Sequence, residues 1–378
     1  MNHCIFHIGM HKTGTSSIQE SLYYGLRDPS FLYFGFGEPN GSRGLKTLFG
    51  DDPEFHIMNR KMGLSGERME LYKRRLQRRL EQAMDRASTH RQTLVLSAES
   101  AWHMSIEELS RFLRFMEARQ YSVKVIVYLR PWKAWLESWF QERVRSGMGN
   151  LYLVPENVRI LSYRNRILDL ESVFGVGRVE LVKFDTAIFP GGCVVKDFCH
   201  RIGIRFDSSR IRRMNDSLSL PATRLLYTYY RLGPGFVVGR IARMSHYLMA
   251  HVALARLKGP PVRFHSSLVA SLLAELEAER PWVAERLGVS FDEDIEKDDR
   301  GECIRNESDL YRYDRGSLEW LAASIGCSPN DDPVEVAVQM HRLRHRPSFK
   351  NLVYAGKEKL DHLTGRIRKN LAQSPWDR

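Results

Sequence analysis

The chain has 378 residues, 43% of them hydrophobic, enough to bury a large core and to form more than one domain. A formal net charge of +12 predicts anionic partners: phosphorylated cofactors, glycans or membrane surfaces stay open, and no common aromatic-basic module argues for nucleic acid. Five scattered cysteines (4, 193, 199, 303, 327) with no Cys-x-x-Cys pair exclude a disulfide framework and predict a reducing compartment.

The first element is an apolar strand at about residues 3–8, built on Cys4-Ile5-Phe6-His7-Ile8. The chain enters this strand at once, so no signal peptide is expected. The loop Gly9-Met10-His11-Lys12-Thr13-Gly14-Thr15-Ser16-Ser17 follows, and a helix opens over 15–26. Backbone N–H groups at a helix start attract an anion, the glycines permit close approach, and Lys12 adds a point charge. The run therefore reads as a phosphate cradle. In the common triphosphatase loop, G-x-x-x-x-G-K-[ST], the lysine follows the last glycine. Here Lys12 precedes Gly14, and hydroxyls fill Thr13, Thr15, Ser16 and Ser17. No paired magnesium ligands are evident, so no metal is expected to be required. An ordinary strand–turn–helix with Ser/Thr caps accounts for the hydroxyls and leaves the lysine unexplained. His3, His7 and His11 recur every fourth residue but lack carboxylate or cysteine partners at ligand spacing. No metal site is assigned, and His7 is read as a structural strand residue.

Residues 28–64 are rich in Gly, Pro, Asn and Asp and read as one long loop. A charged helix is expected over 66–88 and a strand over 93–96, with Ser97-Ala98-Glu99-Ser100 at its end. A helix at 105–118 leads to a β-branched run at 123–129 suited to a buried strand. Arg130-Pro131 follow, then a helix to about 145 that carries Trp132, Trp135, Leu136, Trp139 and Phe140, with Ser138 two turns beyond Arg130. An arginine at the carboxyl end of a buried strand lies where open parallel sheets bind ligands, and guanidinium holds phosphate bidentately. Helices at 157–174 and 192–202 bracket a strand at 178–184. This alternation predicts an α/β architecture of three layers, a central parallel sheet flanked by helices.

From Ser217 onward helices dominate, at 219–231, 236–257 and 266–287, with Pro260-Pro261 between the last two. The stretch 236–257 comes nearest to a membrane span, but Arg240, Arg243 and Arg256 interrupt it, so a cytoplasmic protein is expected. The acidic run Asp292–Asp299 reads as a solvated loop. The tail from Pro333 is basic and reads as a solvated helix pair, or as a dock for an anionic polymer or membrane surface.

Residues 7–17 resemble the 5′-phosphosulfate loop of bacterial sulfotransferases that use 3′-phosphoadenosine-5′-phosphosulfate (PAPS), H-I-G-x-H-K-T-G-T-[TS]-S. The segment Y-L-R-P-W-K-A-W-L-E-S-W-F-Q is similar to that family's Y-L-R-x-x-x-x-W-L-x-S-x-x-x-Q. The likeness extends over about residues 3–235. It implies a P-loop NTPase-like core at 1–235, followed here by a helical extension at 236–332 and the basic helical tail at 333–378. It implies that His11, Lys12, Thr13, Gly14, Thr15, Ser16 and Ser17 hold the phosphosulfate and that Arg130 and Ser138 hold the 3′-phosphate. Lys12 would stabilise charge on the leaving phosphate, with 3′-phosphoadenosine-5′-phosphate as product.

Such a reaction needs a base for the acceptor hydroxyl, and family members use His or Glu. Glu99, at the end of the strand in V-L-S-A-E, is the first choice; a structural carboxylate is its bland alternative. Glu38 is second, and His103 and His56 are outside candidates. Tyr163 is a guess for stacking on adenine. The expected acceptor is a hydroxyl of a carbohydrate or glycan. A nucleoside or sugar kinase of P-loop type and a non-catalytic module that binds anionic glycans are the alternatives.

Overall fold

The computed structural model describes residues 1–147, 151, 161–214, 217–234 and 253–345. Two compact units are each assembled from separate stretches of chain. The first comprises Met1–Arg130, Ser162–Asn215 and Glu279–Phe291, and the second Pro131–Leu161, Asp216–Ala278 and Asp292–Arg378.

The first unit has the expected layered α/β architecture. Strands β1 (Asn2–Ile8), β2 (Phe31–Tyr33), β3 (Thr93–Ala98), β4 (Tyr121–Leu129) and β5 (Val179–Lys183) are all parallel, in the order β2-β3-β1-β4-β5. In β4, residues 123 and 125–129 are fully buried, because helices cover both faces of the sheet. That is why 125–129 reads as a continuous apolar run instead of an alternation. Each such side chain contributes roughly 1.5–3 kcal/mol on burial. On one face, Ile18 and Leu22 of α1 (Thr15–Gly25) and Phe198 of helix Val194–Ile202 pack with Ile126, Tyr128 and Val182. On the other face, the Phe6 ring lies 4.7 Å from Phe112 of α5 (Ile106–Glu117) and 6.3 Å from Phe174 of helix Tyr163–Phe174. The strand order reverses at β1: Ile8 faces Ala98 of β3 on one side and Val127 of β4 on the other. Open parallel sheets bind ligands beyond the carboxyl end of such a strand.

Residues 28–64 are not one loop. They contain β2, α2 (Ser42–Phe49) and α3 (Ile57–Lys61), which precede α4 (Gly66–Thr89). These elements are only three, eight and five residues long, too short for a period to stand out, and polar ties hold much of the segment. Arg111 donates from Nη2 to the carbonyl of Phe49 at 2.8 Å, and Lys46 pairs with Glu108 at 2.9 Å. The expected helix at 266–287 is two helices, Ser266–Glu277 and Arg280–Leu287, the second with Pro281 in its first turn. This second helix belongs to the first unit. Ser162 Oγ and the Arg164 N–H donate to Glu279, and Arg286 pairs with Glu171.

In the second unit, helix Trp132–Arg145 packs against helices Leu220–Leu232 and Ser266–Glu277, with the Phe140 ring 5.4 Å from Phe264. Its start holds a buried charge cluster: Lys133 Nζ bonds Glu137 at 2.8 Å and Asp298 at 2.5 Å, and Arg263 bonds Glu137 at 3.1 Å. The Glu293 carboxylate accepts from the N–H groups of Lys133 and Ala134, at 3.0 and 2.8 Å, and so caps this helix. The acidic run at 292–299 is therefore not a solvated loop. It enters helix Ile295–Arg300 and supplies Glu293 and Asp298 to buried partners. The described part of the basic tail, helix Pro333–His345, buries Val336, Ala337, Met340 and Leu343 and packs on Leu220–Leu232. Residues 346–378, like 157–160 and most of 236–257, lie outside the described residues. Among the described residues no helix is long and apolar enough to cross a membrane.

Candidate anion-binding site

The loop after β1 sits at the point where the strand order reverses. Lys12 and Gly14 both take left-handed backbone, at φ 68° and 73°. For lysine this costs about 1–2 kcal/mol, so the surroundings must hold it. They do. Arg130, from the end of β4, donates from Nη1 to the Lys12 carbonyl at 2.8 Å. Thr13 Oγ1 donates to the Met10 carbonyl at 2.6 Å, and Thr15 Oγ1 to the same oxygen at 3.3 Å. The hydroxyls of Thr13 and Thr15 thus turn inward and shape the loop. What these residues offer an anion is backbone N–H, and among the described residues the N–H groups of Thr13, Gly14, Thr15 and Ser16 make no hydrogen bond. Ser16 is half-buried, and Ser17 Oγ accepts from the N–H of Met214 at 3.0 Å.

Two glycines are required by space. A Cβ on Gly9 would lie 2.3 Å from Thr15 Cγ2, and one on Gly14 would lie 2.7 Å from Val194 Cγ1 in addition to the positive φ. The loop is tight because its neighbours close on it, as an anion cradle needs.

Arg130 is itself supported. Its guanidinium lies 5.3 Å from the centre of the Phe184 ring, and its carbonyl accepts from Tyr163 Oη at 2.6 Å. Tyr163 is fully buried between Trp102 and Phe291, at 6.0 and 5.9 Å. An enclosed ring cannot stack on adenine, so that expectation fails; Tyr163 positions Arg130 instead. Ser138 is a half-buried residue of helix Trp132–Arg145, in the second unit.

Next to the loop, His11 Nδ1 lies 2.7 Å from Glu99 Oε1 and His11 Nε2 lies 3.1 Å from His103 Nε2. Burial pushes the Glu99 carboxyl up, but the hydrogen bond from His11 and the charges of His11, Lys12 and His103 outweigh it, and the net shift is downward. Burial, with the neighbouring cations His11, Arg166 and Lys46, lowers His103 to about 4. At neutral pH, then, Glu99 is ionised and His103 neutral. An ionised Glu99 is an acceptor only, so His11 Nδ1–H donates in the 2.7 Å contact between them.

Glu38 sits on a strained turn. Phe36 has φ 56° and Gly37 φ 98°, and a Cβ on Gly35 would lie 1.9 Å from the Glu38 carbonyl oxygen. The turn is tied to the end of β3, since the Gly41 N–H donates to the Ser97 carbonyl at 2.9 Å and Gln19 Nε2 reaches Asn40 Oδ1 and Ser97 Oγ at 3.3 and 3.1 Å. Burial raises the Glu38 carboxyl, partly offset by Arg43. Among the described residues no hydrogen bond or ion pair joins Glu38 to Glu99 or to the loop. His56 caps the short helix α3, accepting from the Met58 N–H at 3.3 Å. His7 is fully buried, bonds Ser97 Oγ at 2.8 Å, and is lowered by burial to about 3, as suits a neutral strand residue.

The sequence did not reveal the contact between His11 and His103, nor that Arg130 grips the loop itself. Both join residues far apart in the chain, and only the parallel register brings them together.

No family model matches the chain. An uncharacterized protein of Archaeoglobus fulgidus is 26% identical over 135 residues, which are 35% of this chain and 37% of that protein. The chain therefore spans little more than a third of the curated relative it matches. A sulfotransferase from Alicyclobacillus acidocaldarius superposes with a TM-score of 0.37 at 13% identity, covering 82% of this chain and 98% of that one. The Deinococcus radiodurans tunicamycin resistance protein gives a TM-score of 0.30 at 16% identity, over 55% of this chain and 98% of that one. Likenesses this weak carry no weight for function.

Proposed function

We propose that the chain is a sulfotransferase that moves a sulfuryl group from PAPS to a hydroxyl of a carbohydrate or glycan. One observation carries the reading: Arg130 Nη1 on the Lys12 carbonyl, which joins the two phosphate-binding motifs at the strand-order reversal. The residues fit the group. The loop offers N–H donors from Thr13 to Ser16, its glycines leave no space for a Cβ, and Lys12 and Arg130 supply charge. No metal is required by this donor set.

PAPS supplies a sulfuryl group whose S–O bond to the 5′-phosphate breaks as the acceptor oxygen attacks in line. Lys12, the loop N–H groups and the start of α1 stabilise the charge that grows on the departing phosphate. The acceptor proton goes to the His11–Glu99–His103 chain. The Glu99 carboxylate, held at 2.7 Å from His11, is the group that accepts it. The exposed arginines of α4, Arg74 and Arg78, support an acidic saccharide as acceptor in this reading. A second reading makes Glu38 the base, favoured by its raised carboxyl.

Thermal shift with 3′-phosphoadenosine-5′-phosphate, and separately with ATP and magnesium, tests the donor. Stabilisation by ATP–magnesium alone would favour the kinase reading and defeat this one; binding without any transfer to a panel of saccharides would leave the non-catalytic module. For the base, Glu99→Gln and Glu38→Gln are compared at saturating PAPS. Glu99→Gln is expected to lower turnover by about 10²–10⁴. Near-normal turnover there, with loss in Glu38→Gln, transfers the role to Glu38.

A further inference from the structure

Arg166 is a buried cation with weak compensation. It stands in the first turn of helix Tyr163–Phe174, its side chain 11% exposed. The carboxylate of Asp169 is 3.7 Å from its Nη1 and is itself 42% exposed. Among the described residues, the buried Nε of Arg166 makes no hydrogen bond. Taking a charge out of water on such terms costs stability, which points to a role at a site.

Its contacts lead to the candidate base. Nη2 donates to the carbonyl of Ala101 at 2.7 Å, and the guanidinium lies 5.9 Å from the centre of the Trp102 ring. Both residues belong to the short 3-10 turn Glu99–His103, which has Glu99 at one end and His103 at the other. Tyr163, three residues earlier on the same helix, meets the Trp102 ring edge-on at 6.0 Å and donates to the Arg130 carbonyl at 2.6 Å. Residues three apart share a helix face, so one helical turn holds Arg130 through Tyr163 and the Glu99–His103 turn through Arg166. The charged groups that act on the His103 ring are His11 of the loop, Glu99 of its own turn, Lys46 of α2 and Arg166. A charged His103 would pull the Glu99 carboxyl further down and make it a poorer proton acceptor. We propose that Arg166 is a positioning residue for the proton acceptor: it fixes the Glu99–His103 turn through Ala101 and Trp102, and its charge keeps the His103 ring neutral beside Glu99. The role of Glu99 rests on the sulfotransferase reading; the action of Arg166 on His103 does not.

The test compares Arg166→Gln, which loses the charge and keeps an amide donor, with Arg166→Lys, which keeps the charge and loses the planar fork. The ring titration of His103 is followed by NMR, its signal assigned from His103→Asn. The midpoint is expected at about 4 in the parent and in Arg166→Lys, and moved toward 6.5 in Arg166→Gln. Turnover of Arg166→Gln at saturating PAPS should fall by up to about 100-fold, with the acid limb of its pH profile moved upward, while affinity for 3′-phosphoadenosine-5′-phosphate changes by less than about twofold. Tyr163→Phe should show the opposite split and weaken that nucleotide by about 2- to 10-fold through Arg130. Thermal melts check folding, and Arg166→Met is read instead if the glutamine variant melts below the assay temperature. An unmoved His103 titration in the uncharged variant, or an equal shift in Arg166→Lys, would overturn the proposal. So would a loss of nucleotide affinity as large as the loss of turnover. The expected titration shifts without any sulfate transfer by the parent would overturn the proposed function and leave the action of Arg166 on His103 standing.

Discussion

Replacing Arg130 by alanine separates two roles that a phosphate-binding arginine is easily credited with as one. If Arg130 served only a 3′-phosphate, its loss would leave adenosine 5′-monophosphate binding untouched. The structure says otherwise, because Nη1 holds the Lys12 carbonyl at 2.8 Å and Lys12 is in a left-handed conformation that needs support. A hydrogen bond from a charged donor contributes about 1.5–3 kcal/mol. Losing it should weaken the monophosphate at the loop by about 10- to 150-fold. If the proposed function holds, the bisphosphate should lose this and, in addition, a direct pair with its 3′-phosphate. Calorimetric titration of parent and Arg130→Ala with both nucleotides reads the difference. Unchanged affinity for the monophosphate would refute the loop-holding role, and unchanged affinity for both would refute Arg130 as a ligand residue altogether.

Gly9→Ala should leave the sheet intact and damage the loop, because its Cβ would meet Thr15 Cγ2 at 2.3 Å and push the threonine off the Met10 carbonyl; a stability loss of about 1–3 kcal/mol is expected from denaturant melts, with nucleotide affinity falling further. His7 stays neutral to about pH 3 in the folded state but titrates near its ordinary 6.5 when unfolded, so the unfolded state binds the extra proton between these values and stability must rise with pH across that window. His7→Phe should flatten this part of the melting-temperature profile relative to the parent; parallel profiles would contradict it. Lys133→Ala strips a cation from buried Glu137 and from Asp298, and should cost about 3–5 kcal/mol in chemical denaturation, with Lys133→Arg recovering part of it.

Legibility in the sequence followed physical cause. β1 and β4 were readable because burial on both faces writes short apolar runs, Cys4-Ile5-Phe6 and Val125–Leu129, and the loop between β1 and α1 because its glycines and lysine stand at fixed spacing. β2 and α2 were not, since they are only three and eight residues long and the side-chain hydrogen bonds of Asn40, Gln19 and Glu108 that tie that region join residues far apart in the chain. The acidic run misled for a related reason: Glu293 and Asp298 look like solvated charges until Lys133 and the start of its helix are brought to them. At the candidate site, the glycines, the lysine and the hydroxyls of the loop could be read along the chain, whereas the partnership of His11 with His103 required β1 and β3 to be neighbours.

The first unit closes only when Glu279–Phe291 joins it, bringing Val283, which is fully buried, and the pairs of Glu279 and Arg286. A ribosome making this chain releases the whole sheet well before that piece. At typical synthesis rates the interval is on the order of several seconds, long enough for a nascent sheet to wait with part of its cover missing. An excised fragment ending near residue 235 would be held in that unfinished state permanently, so the sheet unit has to be expressed with its late-arriving helix.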